Sequence, residues 1–183
     1  MQQCRVPWGV SAVALLLMMV IAPAVAALPA DREQAIYIDA DSVEIDDAKG
    51  VSVYRGNVQY TQGTTRLTAD KATVYFENKK IKELVATGEP AQYRTRPKGK
   101  TADMIAEALT IKYHADTDNY EFLDKAHLWH DGNEFFGAYI AYDARQDTVN
   151  AHNGKSGKGR VHVIIQPRAK KLTEQAPGKT DGP

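Results

Sequence analysis

Residues 55–76 read RGNVQYTQGTTRLTADKATVYF. Val58 and Tyr60 alternate with Asn57 and Gln59, the period of a strand with one buried face. Gln62-Gly63-Thr64 is a turn signal. Leu67 and Ala69 resume the alternation. After one skipped position it continues through Ala72, Val74 and Phe76. β-branched and aromatic residues dominate, and no helical stripe fits. The segment predicts a hairpin whose second arm is kinked.

Working outward, the same step recurs. Upstream, Ile36, Ile38 and Ala40 precede Val43 and Ile45, which have the opposite parity. Downstream, Met104 and Ala106 precede Leu109, Ile111 and Tyr113, and Phe136 and Ala138 precede Ala141. The Thr87-Gly88-Glu89-Pro90-Ala91 corner is built like the one at Gly56. One extra residue in a strand turns every later side chain to the other face. A β-bulge absorbs that residue and bends the strand. Four bulges, at Ala40, Ala69, Ala106 and Ala138, predict a crease across a stack of strands, with two inner faces meeting in a V. Their unequal spacing excludes a strict solenoid repeat. The expected fold is all-β, a creased antiparallel sheet or jelly roll of roughly eight to ten strands or more. Its edges would lie near Ile36 and Val163.

The ends are read separately. Arg5, an apolar run over residues 10–21 that is short for a bilayer, and Ala24-Val25-Ala26 form a secretory signal. Cleavage is expected after Ala26, making residues 1–26 a signal peptide; an uncleaved anchor is the competing reading. Cys4, the one cysteine, precedes the apolar run, so it is neither a lipidation site at the cleavage point nor half of a disulfide. Residues 27–168 are expected to form one domain, and residues 169–183 a disordered polar tail. Lys and Arg number 23, as do Asp and Glu, but the balance is uneven. Residues 27–50 carry seven acids and two bases; residues 155–183 carry seven bases and two acids. This is either ordinary solvation or a polarity that attracts opposite ends of separate copies.

No catalytic constellation emerges. His127 and His130 fall on opposite faces of a strand, no cysteine is available, and no zinc spacing is present. Gly154-Lys155-Ser156 lacks the earlier glycine of a phosphate loop, and no Gly-x-Ser-x-Gly turn exists. Arg94, Arg96, Lys98 and Lys100 alternate beside Pro97 and Gly99. They read either as a solvated loop or as a site for phosphate groups, with Arg94 and Arg96 as the candidate contacts. Nucleic acid does not fit the overall charge. Neither a cofactor nor a metal is expected.

Ile36-x-Ile38-x-Ala40-Asp41, Tyr54-Arg55-Gly56-Asn57-Val58, Thr61-Gln62-Gly63-Thr64 and Ala69-Asp70-Lys71 together resemble the OstA-like family of periplasmic lipopolysaccharide-transport proteins. Gly88-x-Pro90-Ala91 and Gly157-Lys158-Gly159-Arg160-Val161 are similar to it too, so the likeness covers about residues 33–168. The resemblance implies a V-shaped β-jellyroll whose apolar groove takes the acyl chains of lipopolysaccharide. It implies a periplasmic, non-enzymatic bridge of copies stacked head to tail. The bridge would run from an inner-membrane extraction-complex partner to the N-terminal domain of an outer-membrane translocon, both of the same fold. The Arg/Lys series after Tyr93 is not required by the family pattern. Parity and resemblance together place Ile36, Ile38, Val58, Leu67, Val74, Tyr93, Met104, Leu109, Ile111, Tyr113 and Phe136 in the groove. The docking edge would comprise Ile36, Ile38, Asp39 and Asp41 at one end and Arg160, Val161, Val163 and Ile165 at the other. A polysaccharide-binding or adhesin-type β module, with Tyr37, Tyr75 and Trp129 outward, is the alternative.

Overall fold

The computed structural model describes residues 31–153 and 160–167. The expected signal peptide, most of the Gly/Lys loop before Arg160, and the polar tail lie outside the described residues. The quoted stretch forms the expected hairpin of β3 (Val51–Gln62) and β4 (Thr65–Glu77). Gly63 turns it with φ +58°, in the left-handed region that glycine enters without steric cost. Tyr60 stands opposite Leu67 and Val58 opposite Ala69; beyond a register shift, Tyr54 stands opposite Ala72 and Ser52 opposite Val74.

Four long strands continue the meander: β5 (Lys80–Thr95), β6 (Met104–His114), β7 (Asn119–His130) and β8 (Asn133–Asp143). Two short strands close each end. β1 (Tyr37–Asp39) and β2 (Ser42–Asp46) both pair with β3. β9 (Thr148–His152) and β10 (His162–Ile164) both pair with β8. Among the described residues the ten strands form one antiparallel sheet, eight of them in the order β1-β3-β4-β5-β6-β7-β8-β10, with β2 and β9 off this path. A 3-10 turn, Asp31–Glu33, precedes it.

The crease runs through every long pairing. Register shifts fall between Arg55 and Val58, Thr68 and Lys71, Thr87 and Ala91, Glu107 and Thr110, and Leu123 and Ala126. These positions are neighbours across the sheet, so the bends add into one fold line. On β3 the extra residue is accommodated by Gly56 and Asn57, both with positive φ, and on β7 by Asp124 and Lys125. Asp41 laces the fold line at the first edge: its amide donates to the Gly56 carbonyl at 3.0 Å, and Asn57 Nδ2 donates to its carboxylate at 2.9 Å.

The two leaves therefore face each other, and the core lies between them. Tyr93 on one leaf packs against Tyr120 and Phe122 on the other, with ring centroids 5.0 and 6.4 Å apart. Along the fold line the leaves are closest, and the inward side chains shrink to methyl groups. Ala86, Ala91, Ala106 and Ala108 are fully buried there. Bulk returns away from the line, at Leu67, Met104 and Leu128 on one leaf and Val74, Ile111, Phe122 and Ile140 on the other.

Two sequence expectations are corrected by one position. The third skip follows Ala108 rather than Ala106: Met104, Ala106 and Ala108 are all buried before the shift, and Ile111 after it. Leu109 sits in the bulge, half-buried. On β8 the inward residues are Phe135 and then Ile140 and Tyr142, so Phe136 stands on the outer face, where its ring stacks on His127 at 3.8 Å.

An Ala106→Leu substitution forces three methylenes' worth of extra carbon into the closed apex of the V. It should destabilise the protein by about 1–3 kcal/mol in chemical denaturation. Ala102→Leu, at an exposed position in the β5–β6 loop, should change stability by less than about 0.5 kcal/mol.

Candidate functional site

Away from the crease the leaves diverge and leave a groove, resolved into two cavities. The larger holds about 860 Å³. Leu67, Leu84, Tyr93, Ile111, Tyr113, Tyr120 and Tyr142 form its walls. The smaller holds about 670 Å³, between Ile36, Ile38, Tyr54, Val74, Phe76 and Ile81. Tyr60, Gln62, Leu84 and Tyr113 line both, so the two form one groove with a waist. At that waist the Tyr60 hydroxyl donates to Gln62 Oε1, two residues on along β3, at 2.7 Å. Each cavity is of the size that receives a ligand of some tens of heavy atoms.

The walls are apolar with a tyrosine seam. Tyr113 stacks on Tyr120 at 4.7 Å, and Tyr142 follows at 6.2 Å. Burial pushes the Tyr93 phenol up to about 12, and also raises Tyr60, Tyr120 and Tyr142. These hydroxyls stay neutral at any physiological pH, so the groove offers hydrogen bonds without placing a charge against an apolar guest.

Cations collect at the rims. Lys79 and Lys80 border the smaller cavity, and Arg96, Lys98 and Lys100 border the larger, as do Asp31 and Glu33. Asp31 is held in place by the β3–β4 turn, accepting from the Thr64 amide at 3.0 Å.

The expected groove residues divide as follows. Ile36, Ile38, Leu67, Val74, Tyr93, Ile111 and Tyr113 are brought together along the two cavities. Val58 and Met104 are buried but border neither cavity. Leu109 and Phe136 line neither cavity. Leu84, Tyr60, Tyr120 and Tyr142 are additional wall residues; Tyr120 alternates with Phe122, a signal already present in the sequence.

Arg94 and Arg96 both bind Asp103, at 2.5 and 2.8 Å, and hold its carboxyl below the usual carboxylate range, Arg94 contributing most. The histidine reading keeps its geometry. His127 faces outward to Glu134 at 3.1 Å, and His130 faces inward to Asp147 at 2.8 Å. No cluster of three or more metal-ligating side chains occurs among the described residues.

At the edges, β1 and β10 each pair on one side only. Ile36, Tyr37, Val43 and Ile45 are exposed at the first edge, and Val163, Ile164 and Ile165 at the last. Asp39 and Arg160 are exposed as well, while Val161 is half-buried. Asp41 is engaged by Asn57 within the chain. Ile36 and Ile38 belong to both the smaller cavity and the first edge, so the groove reaches that edge.

An open β-jellyroll, creased across every long strand and grooved between its leaves, is the class of protein these features define. The family described as LptA/(LptD N-terminal domain) LPS transport protein matches residues 37–148, and the chain belongs to that family. It is 39% identical over 150 residues to the lipopolysaccharide export system protein LptH of Pseudomonas aeruginosa, covering 79% of this chain and 86% of that protein. It is 33% identical over 160 residues to the lipopolysaccharide export system protein LptA of Haemophilus influenzae, covering 84% of this chain and 87% of that one. The crystal structure of the Pseudomonas aeruginosa LptH, a periplasmic component of the lipopolysaccharide transport device, superposes with a TM-score of 0.69 at 37% identity. That match covers 76% of this chain and all of the other.

The raised phenols have a pH consequence. A group whose folded pKa exceeds its unfolded one contributes stability that is lost as pH rises through the folded value. Denaturation midpoints should therefore fall between pH about 10 and about 12. Tyr93→Phe should flatten part of that fall; an unchanged profile would show that the Tyr93 phenol is not buried in the folded protein.

Proposed function

We propose that this protein binds lipopolysaccharide in the periplasm, with its acyl chains between the leaves of the sheet, and passes it along a head-to-tail bridge from inner to outer membrane. The observation that carries this reading is the apolar groove that runs to an unpaired sheet edge, in a chain of the LptA family. It is read as a carrier and not an enzyme. Its partners would be lipopolysaccharide, further copies of itself, an inner-membrane extraction-complex component and the N-terminal domain of an outer-membrane translocon. Energy for transport would come from outside this chain.

Head-to-tail assembly follows from strand chemistry. An unpaired edge offers a row of backbone donors and acceptors to another strand. Joining residues 161–165 of one copy to residues 36–40 of the next is a heterologous contact, which propagates when its rotation does not close. Exposed aliphatic residues at both edges would supply apolar contact, and Asp39 opposite Arg160 would steer encounter. Joined this way, the grooves of successive copies would be continuous at Ile36 and Ile38.

Three measurements test this. A photo-crosslinker at Ile111 should capture lipopolysaccharide in living cells, whereas one at the outward neighbour Lys112 should not; the reverse pattern would overturn the face assignment. Ile38→Asp would desolvate a carboxylate against the guest, at about 1–3 kcal/mol or more, and should weaken lipid binding roughly tenfold or more. Removing residues from 161 onward should leave a lipid-binding monomer by light scattering. Filaments of undiminished length would exclude the last strand as the docking edge.

A further inference from the structure

Residues 96–103 join β5 to β6, and five of them in succession, from Arg96 to Lys100, line the larger cavity. This loop carries the cation series that the family pattern does not require. Its charges have different tasks. Arg94 and Arg96 both close on Asp103 and fix the root of the loop, and the Arg96 amide donates to Thr64 Oγ1 at 3.1 Å. Lys100 reaches away to two other turns. Its Nζ lies 2.8 Å from Asp147, in the turn between β8 and β9, and 3.6 Å from Asp131, between β7 and β8. Lys98 is exposed at the cavity and has no ion-pair partner among the described residues.

The anchor of Lys100 is built rather than incidental. Asp147 also meets His130 Nε2 at 2.8 Å and accepts from the Tyr142 hydroxyl at 3.2 Å. His130 and Tyr142 are buried on β7 and β8, so the carboxylate is held on the rigid sheet. The Lys100 side of the pair is held only by the loop, whose one internal backbone bond runs from the Lys100 amide to the Pro97 carbonyl at 3.0 Å. Both charges are part-exposed, so the pair contributes little net stability and can be exchanged.

We propose that residues 96–101 are a strap latched across the wide end of the groove by Lys100, and that the phosphate of an anionic amphiphile unlatches it by replacing Asp147 and Asp131 as the counter-ion of Lys100. Lys98, already at the mouth, makes the first contact. A phosphate bears more charge than a carboxylate and offers more acceptor oxygens, so it competes well for a lysine. Once Lys100 turns to the phosphate, the strap no longer ties the β5–β6 end to the β7–β9 turns. The acyl chains then enter from the side rather than by threading. The proposal rests on the lipid-carrier reading above.

The test uses the full chain with Cys4→Ser and spin labels at Thr101→Cys and Gln146→Cys, either side of the latch. Without lipid the label distances should be short and narrowly distributed, and Lys100→Gln should lengthen and broaden them. Bisphosphorylated lipid A should shift the Lys100 protein to the same long distances. Lipid A stripped of both phosphates should leave the strap closed and load more slowly, a difference that Lys100→Gln removes. Unchanged distances in Lys100→Gln would overturn the latch. Equal opening by both lipids would overturn the role of phosphate. If neither lipid co-elutes with the protein, the cargo reading fails, while the Lys100→Gln distances still decide the latch.

Discussion

Extra residues at one level of the sheet, one on β3 and β7 and two on β5 relative to their neighbours, are the constraint on which the rest of the molecule depends. A strand that gains a residue without bending would turn its remaining apolar side chains to solvent. Here each gain is absorbed in a bulge, and neighbouring bulges align from the β3–β4 pairing to the β7–β8 pairing. The sheet folds over on itself while its hydrogen-bond ladder continues on both sides of the line. Alanine at the apex lets the backbones approach, and larger side chains beyond it hold them apart. The groove is thus the geometric remainder of a sheet closed at its hinge and open at its mouth.

That geometry leaves apolar surface uncovered by the protein itself. Burying an aliphatic side chain contributes about 1.5–3 kcal/mol, so the part-exposed Ile36, Ile38 and Ile81 have much to gain from an apolar guest. A ligand that binds only the folded state also stabilises it. The unpaired edges have the same character. Most soluble sheets blunt their edges with charge or a bulge. This one presents Tyr37, Val43 and Ile45 at one end and Val163, Ile164 and Ile165 at the other. Groove and edges are both incomplete surfaces, and they meet at Ile36 and Ile38.

Much of this was legible because period-two alternation reports faces directly. The Ala69-to-Ala72 skip is unambiguous, since polar Asp70 and Lys71 separate the two alternations. The third skip is harder to place because Ala106, Ala108 and Leu109 are all apolar, and the alternation can be continued through either Ala108 or Leu109. Phe135 and Phe136 are identical neighbours, so only register, here Phe135 opposite Leu128, decides which faces inward. Contacts between separate turns have no periodic signal at all. Nothing in the spacing of Arg94, Arg96 and Lys100 indicates that Asp103 takes the first two and Asp147 the third.

The central claim is that acyl chains lie between the leaves and touch both. Nuclear Overhauser contacts between lipid A methylenes and methyl-labelled, otherwise deuterated protein measure this directly. The account predicts contacts to Leu67 on one leaf and to Leu84, Ile111 and Val74 on the other, with none to outward Val85 and Leu123. Contacts of equal strength on the outward methyls, or on one leaf alone, would contradict it.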